Sequence, residues 1–145
     1  MLPSASSGVS VRIADWNVDH AAVRAVREQV FVREQGVPVE LEWDEFDPLS
    51  LHVLAEAARQ AVGTGRLLPD GHIGRMAVLE SWRGQGVGSS LLETLLRLAR
   101  QRGMRRVRLN AQSRAVAFYA RHGFIAEGEE FIEAGIAHRS MWRDV

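Results

Sequence analysis

Two groups of residues have the types and spacing to do chemistry. The first is Arg83-Gly84-Gln85-Gly86-Val87-Gly88-Ser89, where an apolar run ends and a helical pattern begins. A glycine inside a helix costs about 1 kcal/mol relative to alanine, so folding alone does not favour three of them at this junction. Bare amides at a helix N-terminus can close on an anion, and the helix dipole favours the negative charge. A dinucleotide fingerprint would put a further glycine at Ser89 or Leu91, and a Walker loop would need Gly-Lys before Ser or Thr, which the chain lacks. What remains is Arg, two residues, Gly, one residue, Gly.

The second group moves protons. Tyr119 is the only tyrosine, and a free phenol has a pKa near 10. Glu34, Glu40, Glu42, Asp44, His52 and His138 could each take a proton from a nucleophile, directly or through water, and each could equally be a solvated or packing side chain. His20, His72 and His122 read as structural or exposed. No His, Asp or Glu cluster has metal-ligand spacing, so no metal is expected. The chain has no Cys, which removes disulfides, thiolate metal sites and a cysteine acyl-enzyme, and no Ser stands in a nucleophile motif.

The elements that must position these groups read as β-α-β-β-β-α-β-α-β-β. Residues 1–8 look like a frayed tail, and Val9, Val11 and Ile13 then alternate as in a half-buried strand. Residues 18–33 have helical spacing, with Asp15 or Asn17 as cap and Gly36 and Pro38 as stop signals. Residues 37–50 form an acidic loop in which Trp43 and Phe46 interrupt Glu40, Glu42, Asp44, Glu45 and Asp47. Residues 51–58, 61–68 and 73–79 read as an antiparallel meander. A helix runs from about 86 to a cap at Gly103, and 107–111 is a strand. Residues 113–122 form a short helix, 124–126 start another strand, and 136–142 is the last strand, pairing with it.

Composition bounds the rest. With 145 residues and 46% hydrophobic content, residues 1–145 suit one domain with one core. Lys plus Arg and Asp plus Glu balance at 18 each, so no net field draws a polyanion and no nucleic-acid partner is expected. The arginine-rich run 100–108 could be read as a nucleic-acid patch, but strand alternation sends Arg105 and Arg106 to opposite faces. No basic leader and no membrane-length apolar run is visible, so no membrane partner and a cytoplasmic location are expected. Exposed Trp142 or Phe131 could serve a homodimer.

Residues 77–88, AVLESWRGQGVG, resemble the coenzyme pyrophosphate loop of the GNAT N-acetyltransferase superfamily. Residues 117–124, Ala-Phe-Tyr-Ala-Arg-His-Gly-Phe, are similar to that family's later helix-turn-strand motif, in the same order and spacing. The flanks, VFVREQGVP at 30–38, LNAQ at 109–112 and GIAH at 135–138, resemble its ElaA/YjcF-type branch, with Ala137 where that branch commonly has Pro. The resemblance covers residues 9–143.

It implies an α/β (α+β) fold with a mixed, mostly antiparallel, splayed central sheet flanked by helices. It also implies acetyl-CoA as co-substrate and no metal. The pantetheine arm would lie in the splay and pair with Met76, Ala77 and Val78, and the pyrophosphate would meet the amides of Gly84, Gln85, Gly86, Val87, Gly88 and Ser89. Arg83 would either touch the phosphates or stay solvated. Asn110 would bond the coenzyme or be satisfied within the sheet, and Phe118 is expected against the coenzyme. Tyr119 falls where similar proteins carry the general acid, and a backbone amide near Val78 would meet the oxyanion. Glu34, His52 and His138 are the favoured bases, with Glu34 and His138 assigned to catalysis and Glu40 and His52 to acceptor binding. The implied reaction is direct acetyl transfer, in a ternary complex, to a primary amine of a small molecule. The acidic segment suggests a cationic acceptor such as a polyamine, an amino sugar or a Lys side chain. The alternative is a non-catalytic acyl-CoA-binding sensor or interaction module.

Overall fold

The computed structural model describes residues 8–145, so the frayed tail expected at the N-terminus lies, apart from Gly8, outside the described residues. Strands β1 (Ser10–Ala14), β2 (Leu51–Ala57), β3 (Gln60–Leu67) and β4 (Ile73–Val78) pair in chain order, each antiparallel to the next. Strands β5 (Arg106–Gln112), β6 (Ile125–Glu133) and β7 (Ile136–Asp144) form a second antiparallel sheet in the order β5-β7-β6. The two sheets meet along β4 and β5, which are parallel and touch only where they begin. There His72 bridges Arg108, and Arg108 N donates to Gly71 O at 3.1 Å. Past that bridge no ladder joins the strands among the described residues, and the central sheet forks.

Helix α3 (Val87–Gln101) covers one face of the first sheet with Val87, Leu91, Leu92, Leu95 and Leu96, the apolar stripe its spacing dictates. It lies unusually close to β3, because a Cβ at Gly65 would sit 2.9 Å from Leu95 Cδ1 and 2.7 Å from Met76 Sδ. Any side chain there would force the ends of the Met76 and Leu95 side chains to move. Helix α1 (Trp16–Arg27) covers the opposite face, where Val26 and Val30 pack on Ala77. Asp15 caps it by accepting from Asn17 N at 3.1 Å.

Three elements differ from or extend the pattern read in the sequence. The first helix starts at Trp16 and changes at Glu28 to a wider π-helical turn that runs to Glu34, a departure from α geometry often found at functional sites. The acidic segment carries a short helix, α2 (Val39–Glu42), and a 3₁₀ turn at Asp47–Leu49. β6 begins at Ile125, inside the stretch read as a strand start, and runs to Glu133, an extent the sequence left open because this is an edge strand, largely exposed on both faces, with a bulge between Glu127 and Phe131 that erases any period-two signal.

Candidate active site

At the start of α3, Gly86 is the N-cap with φ of 84°, a left-handed backbone that a side chain would strain, and no side chain caps the helix. Ser90 N is bonded to Gly86 O at 3.0 Å, so the amides of Val87, Gly88 and Ser89 lie in the first turn, ahead of any intrahelical acceptor. A Cβ at Gly84 or Gly86 would meet nothing within 4 Å, so the loop is open on its outer side. Gly88 rests against the Phe118 ring, 3.5 Å from where its Cβ would stand. This fits an anion such as a pyrophosphate. Ser89 Oγ lies 3.0 Å from His122 Nε2, and Glu93 Oε2 lies 3.4 Å from the other ring nitrogen, so His122, read as structural or exposed, is tied directly to the anion loop.

Arg83 and Glu34 bear on two expectations together. The guanidinium donates from both terminal nitrogens to the Glu34 carboxylate at 2.9 and 2.8 Å, and its Nε donates to Val78 O at 2.8 Å. The hydrogen bonds to Glu34 raise the pKa of Arg83, partly offset by desolvation. Glu34 thus joins the end of the π-helical turn to the glycine loop through Arg83, and Arg83 is not simply solvated.

Between the diverging strands lies a cavity of about 570 Å³. Met76 on β4, Asn110 and Gln112 on β5, Tyr119 on α4 (Val116–Arg121), and Glu133 and His138 from β6 and β7 all line it. Tyr119 is nearly buried, packed edge-on against Phe118 and Phe124. Burial pushes its pKa up to about 12, and its hydroxyl has no protein hydrogen-bond partner among the described residues. His138 lies 2.7 Å, through Nδ1, from Ile136 O. A carbonyl only accepts, so Nδ1 carries the proton and Nε2 of the neutral ring keeps a lone pair. Asn110 is exposed on the cavity wall; it accepts from Ser140 Oγ at 3.2 Å and donates to Glu133 Oε1 at 3.5 Å.

His52 and Glu40, expected at the acceptor, do not line this cavity. His52 is buried and stacked on Trp16 at 4.3 Å, with Nε2 donating to Asp47 O at 2.8 Å. Burial lowers its pKa and keeps it neutral. Glu40 points to solvent on α2. Glu42, Asp44 and Asp47 are not free to draw a cation either, because three arginines neutralise them, while Glu45 is exposed. Fully buried Arg27 donates to Glu42 Oε2 at 2.7 Å and Asp47 Oδ1 at 2.8 Å, and Arg66 donates to Asp44 Oδ1 at 2.7 Å and Asp47 Oδ1 at 3.0 Å. Burial pushes the Asp47 carboxyl up, but Arg27 and Arg66 outweigh it and the net shift is downward; at Glu42 burial prevails over Arg27 and the net shift is upward. Arg75 completes the set on β4. The signal for Arg66 and Arg75 was present in the sequence, as cations within otherwise apolar strands. Trp142 and Phe131 are half-buried, stacked on Arg106 and His138.

Among the described residues no group of side chains could hold a metal, and no helix is long and apolar enough to cross a membrane. The family model described as an acetyltransferase (GNAT) domain matches residues 18–144. The N-acetyltransferase YjcF of Bacillus subtilis is 42% identical over 123 residues, which is 82% of this chain and 88% of that protein. An acyl-CoA N-acyltransferase from Pseudomonas aeruginosa superposes with a TM-score of 0.83 at 31% identity, covering 93% of this chain and 99% of that one. Escherichia coli ElaA superposes with a TM-score of 0.83 at 28% identity, with the same coverage of 93% and 99%. The match spans α1 through β7 and so contains the forked sheet, the glycine loop and the tyrosine helix: the chain belongs to the GNAT acetyltransferase family, in its ElaA/YjcF-like branch.

Proposed function

We propose that the protein transfers the acetyl group of acetyl-CoA to a primary amine of a small molecule, directly and within a ternary complex. The observation that carries this is the pairing, in one cavity at the fork, of an unpartnered buried phenol, Tyr119, with an imidazole, His138, whose lone pair is left on Nε2. Bound coenzyme supplies an activated thioester. The open loop and the free amides of Val87, Gly88 and Ser89 suit its pyrophosphate, and the unladdered edge of β4 at Met76, Ala77 and Val78 suits its amide-bearing arm. Phe118 holds Gly88 from beneath.

His138 takes a proton from the attacking amine, and Tyr119 gives one to the departing sulfur. A phenol of pKa about 12 is a weak donor in water. A thiolate leaving beside the same buried phenol would also gain proton affinity from desolvation, which narrows the mismatch. The absence of Cys leaves no thiol for a covalent acyl-enzyme, in keeping with direct attack.

The test is a panel of primary amines with acetyl-CoA, followed by release of free CoA. Turnover with at least one amine, abolished or greatly reduced by Tyr119→Phe, is expected. Tight coenzyme binding with no CoA release from any amine would instead favour a sensor that binds acyl-CoA without chemistry.

A further inference from the structure

We propose that the acceptor carries a carboxylate beside its amine, as an amino acid does, and that Arg75 receives that carboxylate in the cavity lined by Tyr119 and His138. The inference rests on acetyl transfer being the reaction, and it names the acceptor class for that same site.

Arg75 is the one cation of the buried cluster without a short bond of its own. Arg27 and Arg66 reach their carboxylates at 2.7–2.8 Å. Arg75 makes only longer contacts, and to residues that those two already bond: Nη2 to Asp44 Oδ2 at 3.2 Å beside the Oδ1 that Arg66 holds, Nε to Glu42 O at 3.3 Å, and Nε to Glu42 Oε2 at 3.4 Å. Its Nη1 has no hydrogen-bond partner among the described residues, yet it is not sealed from solvent. The side chain is 26% exposed, against 6% for Arg66 and 0% for Arg27, and it lines the cavity.

The backbone places it there at a cost. Arg75 has φ of 50°, left-handed for a residue with a side chain, where β4 carries one more residue than β3 between the Thr64–Ala77 and Arg66–Gly74 pairs. Such a bulge re-aims a side chain and is retained where the aim matters. Burial lowers the pKa of Arg75, with Glu42 opposing and Arg66 and Arg27 adding to the effect, so one further anion would stabilise the charged form. A planar carboxylate matches the guanidinium fork. Glu42 and Asp44 beside the same group disfavour a dianion such as a phosphate. With these two acids neutralised by arginines, Glu133 and His138 are left to face the amine.

The experiment compares each of several amino acids with its decarboxylated amine and its carboxamide: leucine with isopentylamine and leucinamide, phenylalanine with phenethylamine and phenylalaninamide. CoA release is measured at saturating acetyl-CoA. Relative to the amino acid, the decarboxylated amine is more basic and the carboxamide less basic, so a preference for the acid over both does not come from amine basicity. The wild type is expected to favour the acid by about 10-fold or more in kcat/KM, the scale of one charge-assisted pair. Arg75→Gln should bring that ratio close to one while acetyl-CoA still stabilises the variant thermally, and Arg75→Lys should keep part of the preference. A wild type that favours the amine or the amide, or an Arg75→Gln variant that keeps the ratio, overturns the carboxylate site and leaves acetyl transfer standing. No CoA release from these compounds or from the wider amine panel overturns both, and release from that panel alone overturns only the carboxylate site.

Discussion

Tyr119 shows how burial alone can set a role. Nothing donates to its hydroxyl or pairs with it, and desolvation by Phe118, Phe124 and the cavity wall keeps it protonated. Tyr119→Phe should therefore lower kcat by roughly 100-fold, the lower end for loss of a general acid, with little change in acetyl-CoA affinity by calorimetry. His138→Gln should lower kcat on the same scale, because the amide has no lone pair of comparable basicity to offer the amine. Glu34→Gln separates clamp from base. Its kcat should stay near wild type while the Kd for acetyl-CoA rises several-fold, because the clamp on Arg83 loses its charge. If kcat collapses instead, Glu34 is the base after all.

At the level of helices and strands, the site depends on where α3 begins and on what anchors the acidic segment. Gly86→Val should cost about 1–2 kcal/mol in urea unfolding, because a β-branched residue is forced to φ of 84°. The same variant should lose acetyl-CoA-induced thermal stabilisation, since the amide turn it distorts is the proposed phosphate seat. Unchanged coenzyme affinity would remove the basis for assigning the loop. Arg27→Met tests the anchor. It leaves buried Glu42 with only Arg75 at 3.4 Å and buried Asp47 with only Arg66 at 3.0 Å, and frees Trp43, whose ring lies 5.0 Å from the guanidinium. Loss of about 3–5 kcal/mol is expected, measured by the urea midpoint. The cavity wall formed by Leu41, Glu42 and Phe46 should loosen with it, raising the acceptor KM more than the acetyl-CoA KM.

Across the chain as a unit, two titrations bound the pH range of stability. Arg12, with help from the Asp15 amide, holds the Asp19 carboxyl down at about 2 from an ordinary 3.8. A depressed acid contributes stability that is present above its unfolded value and is lost as the pH falls through the folded one. Tyr119 is the converse case: raised to about 12, it contributes stability present below its ordinary value of 10 and lost as the pH climbs toward 12. Urea midpoints should thus fall further below about pH 4 and above about pH 10, the acid loss adding to that from buried neutral His52, which begins below its ordinary value of 6.5. Arg12→Met should flatten the acid decline, and Tyr119→Phe the alkaline one.

Local sequence carried the element order, the meander of β2 to β4, the amphipathic α3 and both family motifs, because periodicity and glycine placement act within a few residues of themselves. It also put Tyr119, His138 and Asn110 among the candidates, since residue type limits what chemistry a side chain can do. The charges were beyond its reach. Glu34 meets Arg83 across 49 positions, and Arg66 meets Asp44 across 22, so whether an acid is a base, a clamp or a neutralised anchor depends on partners brought together only by folding. His52 looked like a site residue until the sheet stacked it on Trp16. Arg75 stood out in the sequence as a cation in an apolar strand, but its place at the cavity follows from one extra residue in β4, a register event set by pairing with β3.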